Sequence, residues 1–300
     1  MPAVETSHVT KTFGIVKAVD DVSFSIEKGE LFGLLGPNGA GKTTAIRCML
    51  DIFKPDSGSI SLLGGPMSES KKNSIGYMPE ERGLYQEIPL ERCLVYLGAL
   101  KGLEPEQAKQ RAEKYLERFD LAAYRNKKVK ELSKGMQQKA QIIATVLHQP
   151  ELLIVDEPFS GLDPVNTQMV KDLLREQREN GVTVILCSHQ MQLVEELCDR
   201  IVLIDHGKVL LYGELAGIRR QFSNNAVLLR TSSPLPGLKG VERVEPVTGG
   251  FRLHLVPGTP TQQVLRQLVA ADINIDQFEI AMPTLDEIFI RVVQGAGDRQ

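Results

Sequence analysis

The sequence predicts an α/β fold with a largely parallel sheet, followed by a small C-terminal α+β unit. Three near-continuous apolar runs, at residues 31–35, 152–155 and 182–186, are typical of strands that are buried on both faces. Segments with helical spacing alternate with these runs, which is the order that a parallel sheet requires. We therefore expect a large domain over residues 1–220 and a smaller domain over residues 221–300.

The composition is that of an ordinary globular protein. Hydrophobic residues make up 42% of the chain, and the formal net charge is −3, so no broad basic field favours nucleic acid as a partner. Four cysteines are scattered without the spacing of a zinc site or a disulfide framework. No apolar stretch approaches the roughly 18 residues of a spanning helix, and the N-terminus lacks the apolar core of a signal peptide. We expect the chain to stay in the cytoplasm.

The elements outside the apolar runs are predicted from the spacing of hydrophobic residues and from segments rich in turn-forming residues. Residues 90–102 and 105–119 carry helical spacing with Lys and Glu on the polar side. After residue 220 a polar segment and a stretch rich in Pro and Gly indicate a domain boundary. Beyond it we predict strands at 226–231, 241–245, 251–256 and 273–282, with helices at 261–271 and 284–293. This is a compact α+β unit, for which a ferredoxin-like arrangement is one candidate.

A glycine-rich loop follows the first buried strand and opens a helix. It reads Gly36-Pro37-Asn38-Gly39-Ala40-Gly41-Lys42-Thr43, and Thr44 follows. Strand, loop and helix at this spacing are the setting of a P-loop, whose amides and helix N-terminus cradle phosphates. We expect Lys42 to reach the β- and γ-phosphates, Thr43 to bind Mg²⁺ and Thr44 to support the α- and β-phosphates. The motif alone leaves GTPases, kinases, helicases and transport ATPases open.

Two carboxylates, Asp156 and Glu157, stand at the end of the second apolar run. A strand tip beside a P-loop is where Mg²⁺ is held and a water molecule is activated. Asp156 is suited to the Mg²⁺ shell. Glu157 is suited to the role of general base, because a carboxylate beside the γ-phosphate polarises the attacking water.

Further motifs, in the expected order, resemble those of ATP-binding cassette (ABC) transporter ATPases over about residues 4–220. Leu132-Ser133-Lys134-Gly135-Met136 resembles the signature motif LSGGQ, Ser160-Gly161-Leu162-Asp163 matches the D-loop, and His189 matches the switch histidine. Ser133 also occupies an N-cap position, so its hydroxyl and the first amides of the next helix form an anion site. The amino-acid sequences of residues 77–85, 132–139 and 283–289 resemble those of bacterial exporter ATPases of ABC-2 type, which are similar to sodium-extrusion and multidrug systems.

The resemblance implies a RecA-like core, an antiparallel β subdomain and a helical subdomain, with ATP and Mg²⁺ as cofactors. It implies that Phe13 stacks on adenine, that His189 contacts the γ-phosphate, and that Lys42, Glu157 and His189 are catalytic. Thr43, Asp156 and Glu80 are the implied metal ligands. The residues implied to bind ATP are Phe13, Gly36, Pro37, Asn38, Gly39, Ala40, Gly41, Lys42, Thr43, Thr44, Ser133, Gly135 and Asp163.

The implied partners are a separate transmembrane permease and a second ATPase. Two copies, or one copy and a related ATPase, would sandwich two ATP molecules head to tail, with each P-loop facing the partner's signature segment. The pair would work at the cytoplasmic face of the cell membrane. The segment at residues 80–97 would be the surface that couples the ATPase to the permease. No nucleic acid is expected.

The sequence departs from the family pattern at three positions. Lys134 replaces the first glycine of the signature motif, and Met136 replaces its glutamine. Glu80 stands where the family has the Q-loop glutamine, and its added negative charge would be offset by Arg82 or by Mg²⁺.

The alternative function is that of a soluble ABC ATPase acting on DNA or ribosomes. Such proteins carry two cassettes or a long coiled-coil insert, whereas this chain has one P-loop and no sustained heptads. A GTPase is disfavoured because the chain has no NKxD motif for reading guanine.

Overall fold

The structure is a computed structural model that describes residues 1–81, 83–223 and 226–297. Contacts between residues divide the chain into two compact units, Met1–Glu214 and Leu215–Gln300. The strands of the first unit are β1 (Val4–Phe13), β2 (Val16–Ile26), β3 (Leu31–Leu35), β4 (Ser57–Leu62), β5 (Ile75–Met78), β6 (Leu152–Asp156), β7 (Thr183–Ser188), β8 (Arg200–Asp205) and β9 (Lys208–Glu214). Its helices are α1 (Lys42–Met49), α2 (Leu90–Leu100), α3 (Pro105–Arg118), α4 (Lys134–Val146), α5 (Pro164–Glu179) and α6 (Met191–Leu197).

The central sheet has the strand order β5-β6-β7-β3-β8-β9. Its first five strands are parallel, and β9 returns antiparallel to β8. Every residue of β3, β6 and β7 is buried, as expected for strands that are covered on both faces. The α/β architecture predicted from the apolar runs is confirmed.

A second sheet of order β2-β1-β4 is antiparallel throughout. Its buried side chains alternate with exposed ones along β2 and pack into one hydrophobic core with the central sheet. The rings of Phe24 on β2 and Phe32 on β3 stack with centroids 5.9 Å apart. The antiparallel sheet therefore packs on the central sheet through aromatic contact.

The helices α2, α3 and α4 pack on one another between β5 and β6 in sequence. Leu94 and Leu116 are buried, and Arg111 donates from Nη1 to the carbonyl of Leu147 at 3.1 Å. The helix predicted at 90–102 ends at Leu100 because Gly102 takes a left-handed φ of +85°. No helix among the described residues is both long and apolar enough to cross a bilayer.

The second unit holds α7 (Leu215–Gln221), β10 (Ala226–Arg230), β11 (Val241–Val247), β12 (Gly250–Leu255), α8 (Thr261–Ala270), β13 (Gln277–Ile280) and α9 (Leu285–Gly297). Its antiparallel sheet has the order β11-β12-β10-β13. This is the strand order of a ferredoxin-like unit, with an irregular connection where the first crossover helix would stand. The last strand is shorter than predicted, since Ile273 bonds back to the carbonyl of Leu268 and ends α8.

Candidate functional site

The glycine-rich loop connects the carboxyl end of β3 to the start of α1. Gly36 and Gly41 have φ of +151° and +103°, and a Cβ on either would lie 2.1 Å from a main-chain oxygen. Only glycine fits these two positions. Gly41 is the N-cap of α1 and provides no side-chain cap, so the first amides of the helix remain available to an anion.

Lys42 is the first residue of α1 and is only 6% exposed. Its Nζ donates to the carbonyls of Gly36 at 2.7 Å and Pro37 at 3.0 Å. These bonds hold the ammonium group across the loop. A buried positive charge is therefore placed where the loop amides converge.

Asp156 ends β6 and is 1% exposed. The hydroxyl of Thr43 donates to its Oδ2 at 2.8 Å, which joins the P-loop helix to the neighbouring strand. Tyr77 lies on the adjacent strand β5, and burial together with the Asp156 charge raises the pKa of Tyr77 to about 12. Asp156 is thus buried and is joined to the first turn of α1 through the Thr43 hydroxyl.

Glu157 follows β6 in a left-handed conformation, with φ of +51°. Its Oε1 accepts from the His189 amide at 2.8 Å and lies 2.7 Å from His189 Nδ1, and its Oε2 accepts from Ser188 Oγ at 3.1 Å. Glu157 is 5% exposed. Because a carboxylate only accepts, the Nδ1 atom carries the proton and the imidazole Nε2 remains for another partner.

Thr43, Asp156, Glu157 and most of the glycine-rich loop line one cavity of about 540 Å³, whereas Gly36, Pro37 and His189 lie outside its lining. It is lined by Val16, Lys17, Ala18, Asn38, Gly39, Ala40, Gly41, Lys42, Thr43, Thr44, Glu80, Asp156, Glu157, His206 and Gly207. Phe13 does not line it. The Phe13 ring is 45% exposed and meets the ring of Phe53 edge-on at 5.2 Å.

The signature and D-loop residues lie apart from the lining of this cavity. Ser133 caps α4 by accepting from the Met136 amide at 3.3 Å, and Asp163 caps α5 by accepting from the Asn166 amide at 2.9 Å. Hydrogen bonds from the main-chain amide and the side chain of Asn166 lower the pKa of Asp163. A Cβ on Gly135 would lie 3.3 Å from the carbonyl of Gly161, so the two motifs adjoin each other.

The chain matches two family profiles. The profile "ABC transporter" covers residues 19–160, and the profile "ATP-binding protein DrrA1-3-like, C-terminal domain" covers residues 213–293. Similar proteins include the uncharacterised ABC transporter ATP-binding protein YhaQ of Bacillus subtilis (strain 168), which is 43% identical over 95% of this chain and 97% of its own length. Nod factor export ATP-binding protein I of Sinorhizobium fredii (strain NBRC 101917 / NGR234) is 32% identical over 97% of this chain and 85% of its own length.

The fold is also similar to a solved structure titled "Structure of ATP binding subunit of ABC transporter". It is 33% identical, with a TM-score of 0.69, and the match covers 73% of this chain and 93% of that one. The chain belongs to the ABC transporter ATP-binding proteins. It binds ATP and is an ATPase, as the family resemblance implied.

The three departures of this ABC ATPase from the family pattern lie in different settings in the structure. Glu80 lines the cavity described above together with Thr43 and Asp156. Lys134 is exposed on the first turn of α4 and does not line the cavity. The main-chain amide of Met136 donates to the Ser133 hydroxyl that caps α4. Arg82, expected to offset the Glu80 charge, lies outside the described residues.

Sequence reasoning missed the segments that close the far side of the cavity. The hairpin turn at His206 and Gly207 bonds to the P-loop, since the Gly207 amide donates to the carbonyl of Ala40 at 2.9 Å. The Asp20 amide in turn donates to the carbonyl of Gly207 at 2.8 Å, beside the lining residues Val16 to Ala18. The glycine of a two-residue hairpin was a visible signal for the turn. Nothing local indicated that this turn packs on the phosphate loop.

Proposed function

We propose that this ABC ATPase drives export through a separate membrane permease, and that the cavity at the carboxyl ends of β3 and β6 is its site of ATP hydrolysis. The observation that carries the proposal is that the Thr43–Asp156 pair and Glu157 of the Glu157–His189 pair line one cavity with the P-loop, while His189 contacts Glu157 from outside that lining. One pair is suited to a metal-bound phosphate, and the other is suited to an attacking water.

The P-loop residues divide the binding of ATP among themselves. The loop amides and the N-terminus of α1 receive the phosphates, Lys42 neutralises the β- and γ-phosphates, and Thr44 supports the phosphates from the first turn. Glu157 takes a proton from the attacking water. His189 orients the Glu157 carboxylate through Nδ1 and contacts the γ-phosphate from its other nitrogen. Phe13, which is exposed outside the cavity lining, stacks on adenine.

Thr43, Asp156 and Glu80 would hold Mg²⁺, which would neutralise negative charge on the bound phosphates. All three offer oxygen atoms, the ligands that Mg²⁺ prefers. Among the described residues, no three His, Cys, Asp or Glu side chains lie close enough to hold a metal alone. That sparse set fits an ion bound by one or two carboxylates together with substrate phosphates.

The signature residues serve ATP on a second subunit, either a second copy or a related ATPase. Ser133 is exposed at the N-terminus of α4, and neither it nor Gly135 nor Asp163 lines the cavity of its own chain. A capped helix N-terminus facing outward is suited to a phosphate presented by a partner.

Export through a permease at the cytoplasmic face of the membrane is supported by the relative named for Nod factor export, which aligns over nearly the whole chain. The surface that follows Glu80 offers a docking site for the permease. Tyr85 and Tyr96 are 48% and 47% exposed, and their rings meet edge-on at 5.4 Å. Exposed aromatic pairs of this kind are enriched at protein interfaces. The domain after residue 220 is an accessory unit of the transporter.

The test purifies the full-length Glu157→Gln variant with ATP from detergent-solubilised native membranes and identifies its partners by mass spectrometry. We expect ATP to bind without turnover and a protein with several membrane spans to co-purify. The Lys42→Ala variant, impaired in ATP binding, is the matched control for nucleotide-dependent partners. Recovery of ribosomal or DNA-repair proteins alone would contradict the transport proposal and favour the DNA or ribosome alternative.

A further inference from the structure

Two buried glutamines lie one turn apart on α4, the helix that begins at the signature segment. Gln138 and Gln141 are 3% and 4% exposed. Residues three apart share one face of a helix. Buried side-chain amides are normally hydrogen-bonded, so the partners of these two side chains indicate which segments this face of α4 positions.

Gln138 holds the turn that carries Glu157. Its Nε2 donates to the carbonyls of Glu157 at 3.2 Å and Pro158 at 3.1 Å. The Glu157 amide donates to the carbonyl of Cys187 at 2.9 Å, so both main-chain polar groups of Glu157 are bonded. Left-handed φ at a residue other than glycine persists only where the surroundings impose it. Gln138 is one of the groups that impose it.

Gln141 holds the segment that carries Glu80. Its Nε2 donates to the carbonyls of Pro79 at 2.8 Å and Glu81 at 3.2 Å, the two residues that flank Glu80. The main chain on both sides of Glu80 is therefore attached to one side chain. Its Oε1 is buried and has no hydrogen-bond partner among the described residues, so Gln141 acts here through its donors.

We propose that Gln138 and Gln141 are positioning residues for ATP hydrolysis. From one rigid helix face, Gln138 sets the main chain of Glu157 and Gln141 sets that of Glu80. Neither glutamine lines the nucleotide cavity, so both act through other residues. Since α4 starts at Ser133, one helix connects the signature segment to both carboxylates. This inference rests on the functions proposed for Glu157 and Glu80.

The first experiment measures steady-state ATP hydrolysis and ATP affinity in the full-length Gln138→Met variant. Met keeps the length of the side chain and removes its donors. We expect kcat to fall about tenfold or more, with KM and the Kd for ATP within about twofold, because small displacements of a reacting group act on the chemical step. Gln177→Met is the matched control, since Gln177 is 7% exposed on α5 and lines a different cavity. An unchanged kcat in a folded Gln138→Met variant would overturn the proposal.

The second variant, Gln141→Met, guards against a folding failure at Gln138. We expect the Mg²⁺ concentration for half-maximal hydrolysis to rise severalfold while thermal unfolding stays close to that of the Gln177→Met control. An unchanged Mg²⁺ requirement would remove Gln141 from the proposal.

The double variant Glu157→Gln, Gln138→Met separates this inference from the proposed function. If Gln138 acts through Glu157, its substitution adds nothing to the residual rate of Glu157→Gln. Fully multiplicative losses would overturn the positioning role. Hydrolysis that survives Glu157→Gln would instead refute the function of Glu157 itself. Loss in Glu157→Gln with full activity in Gln138→Met would refute the positioning alone.

Discussion

The Nδ1 atom of His189 lies 2.7 Å from Oε1 of Glu157, and the His189 amide donates to the same oxygen at 2.8 Å. One carboxylate oxygen thus receives two donors from a single residue. Ser188 donates to the other oxygen. The carboxylate is held in one orientation from the end of the neighbouring strand β7, which is what a base needs if its lone pairs are to meet a bound water.

His189→Ala removes the ring contact and keeps the main-chain one. We expect kcat to fall by about 10²-fold, the usual scale for a group engaged in acid–base chemistry, with a smaller change in ATP affinity. Steady-state hydrolysis and nucleotide titration measure the two. His8→Ala is the control, because His8 makes the same 2.7 Å contact with Asp21 on an exposed surface. Equal losses in both variants would contradict the role of His189.

Thr43→Val removes the hydroxyl that donates to Asp156 at 2.8 Å. We expect the Mg²⁺ requirement for hydrolysis to rise by about tenfold or more, since metal sites lose this much when a neighbouring hydrogen bond to a ligand is removed. Thr43→Ser keeps the hydroxyl and should retain the wild-type requirement. A Mg²⁺ titration of ATP hydrolysis compares the two variants, and identical curves would remove Thr43 from the metal site.

Ser133→Ala removes the cap of α4 on an exposed helix end. The expected cost in the free energy of unfolding is about 1 kcal/mol. In the Glu157→Gln background we also expect loss of the ATP-dependent dimer, measured by light scattering, while each copy still binds ATP. Thr284→Ala removes a similar cap, to the Glu287 amide at 3.2 Å in the second unit, and should leave the dimer intact. A dimer that survives Ser133→Ala would contradict binding in trans.

Gly41→Ala and Gly39→Ala separate backbone strain from steric collision in the P-loop. A Cβ at Gly41 meets the carbonyl of Ala18 at 2.1 Å, whereas a Cβ at Gly39 meets nothing within 4 Å. Both have left-handed φ, so Gly39→Ala costs about 1–2 kcal/mol of unfolding free energy. We expect Gly41→Ala to cost clearly more and to abolish ATP binding. Thermal unfolding without nucleotide compares them, and equal losses would show that the contact with Ala18 is of no consequence.

The burial of His148 leads us to expect a loss of stability in mild acid. It is 8% exposed, and burial, followed by the charge of Lys101, lowers its pKa from 6.5 to about 4. Arg111, on α3, is a further positive charge near it. Between these pKa values the unfolded chain binds the proton and the folded chain does not, so stability is complete above pH 6.5 and falls as the pH approaches 4.

From pH 7.5 to 5.0 this group alone lowers the free energy of unfolding by about 2 kcal/mol. Denaturant unfolding at the two pH values measures the difference in wild type and in His148→Gln. The variant should lose about 2 kcal/mol less on acidification. His8→Ala, at an exposed histidine, is the control for general effects of pH. An identical drop in wild type and His148→Gln would show that His148 already titrates in the folded protein as it does in the unfolded chain.

Local sequence signals were sufficient for most elements of the fold and for the position of the glycine-rich loop. The apolar run at 31–35 became β3, and the glycine-rich loop after it joins α1 as predicted. These signals worked because a P-loop is contiguous in sequence, and its spacing alone places backbone amides and Lys42 around one point. The strand predicted at 273–282 was too long, since a hydrogen bond from Ile273 to Leu268 is a tertiary detail that propensity does not encode.

By itself, the sequence determined the α/β class, the phosphate loop, the family and the residue types available for chemistry, because each depends on short-range order along the chain. Only the tertiary structure decided which groups meet. His189 is 32 residues from Glu157 and Thr43 is 113 residues from Asp156, yet both pairs are in contact. Parallel β3, β6 and β7 end at the same edge of the sheet, and that shared edge brings these distant side chains into contact beside one cavity. The supports from Gln138 and Gln141 likewise depend on how α4 packs, which no local pattern of residues expresses.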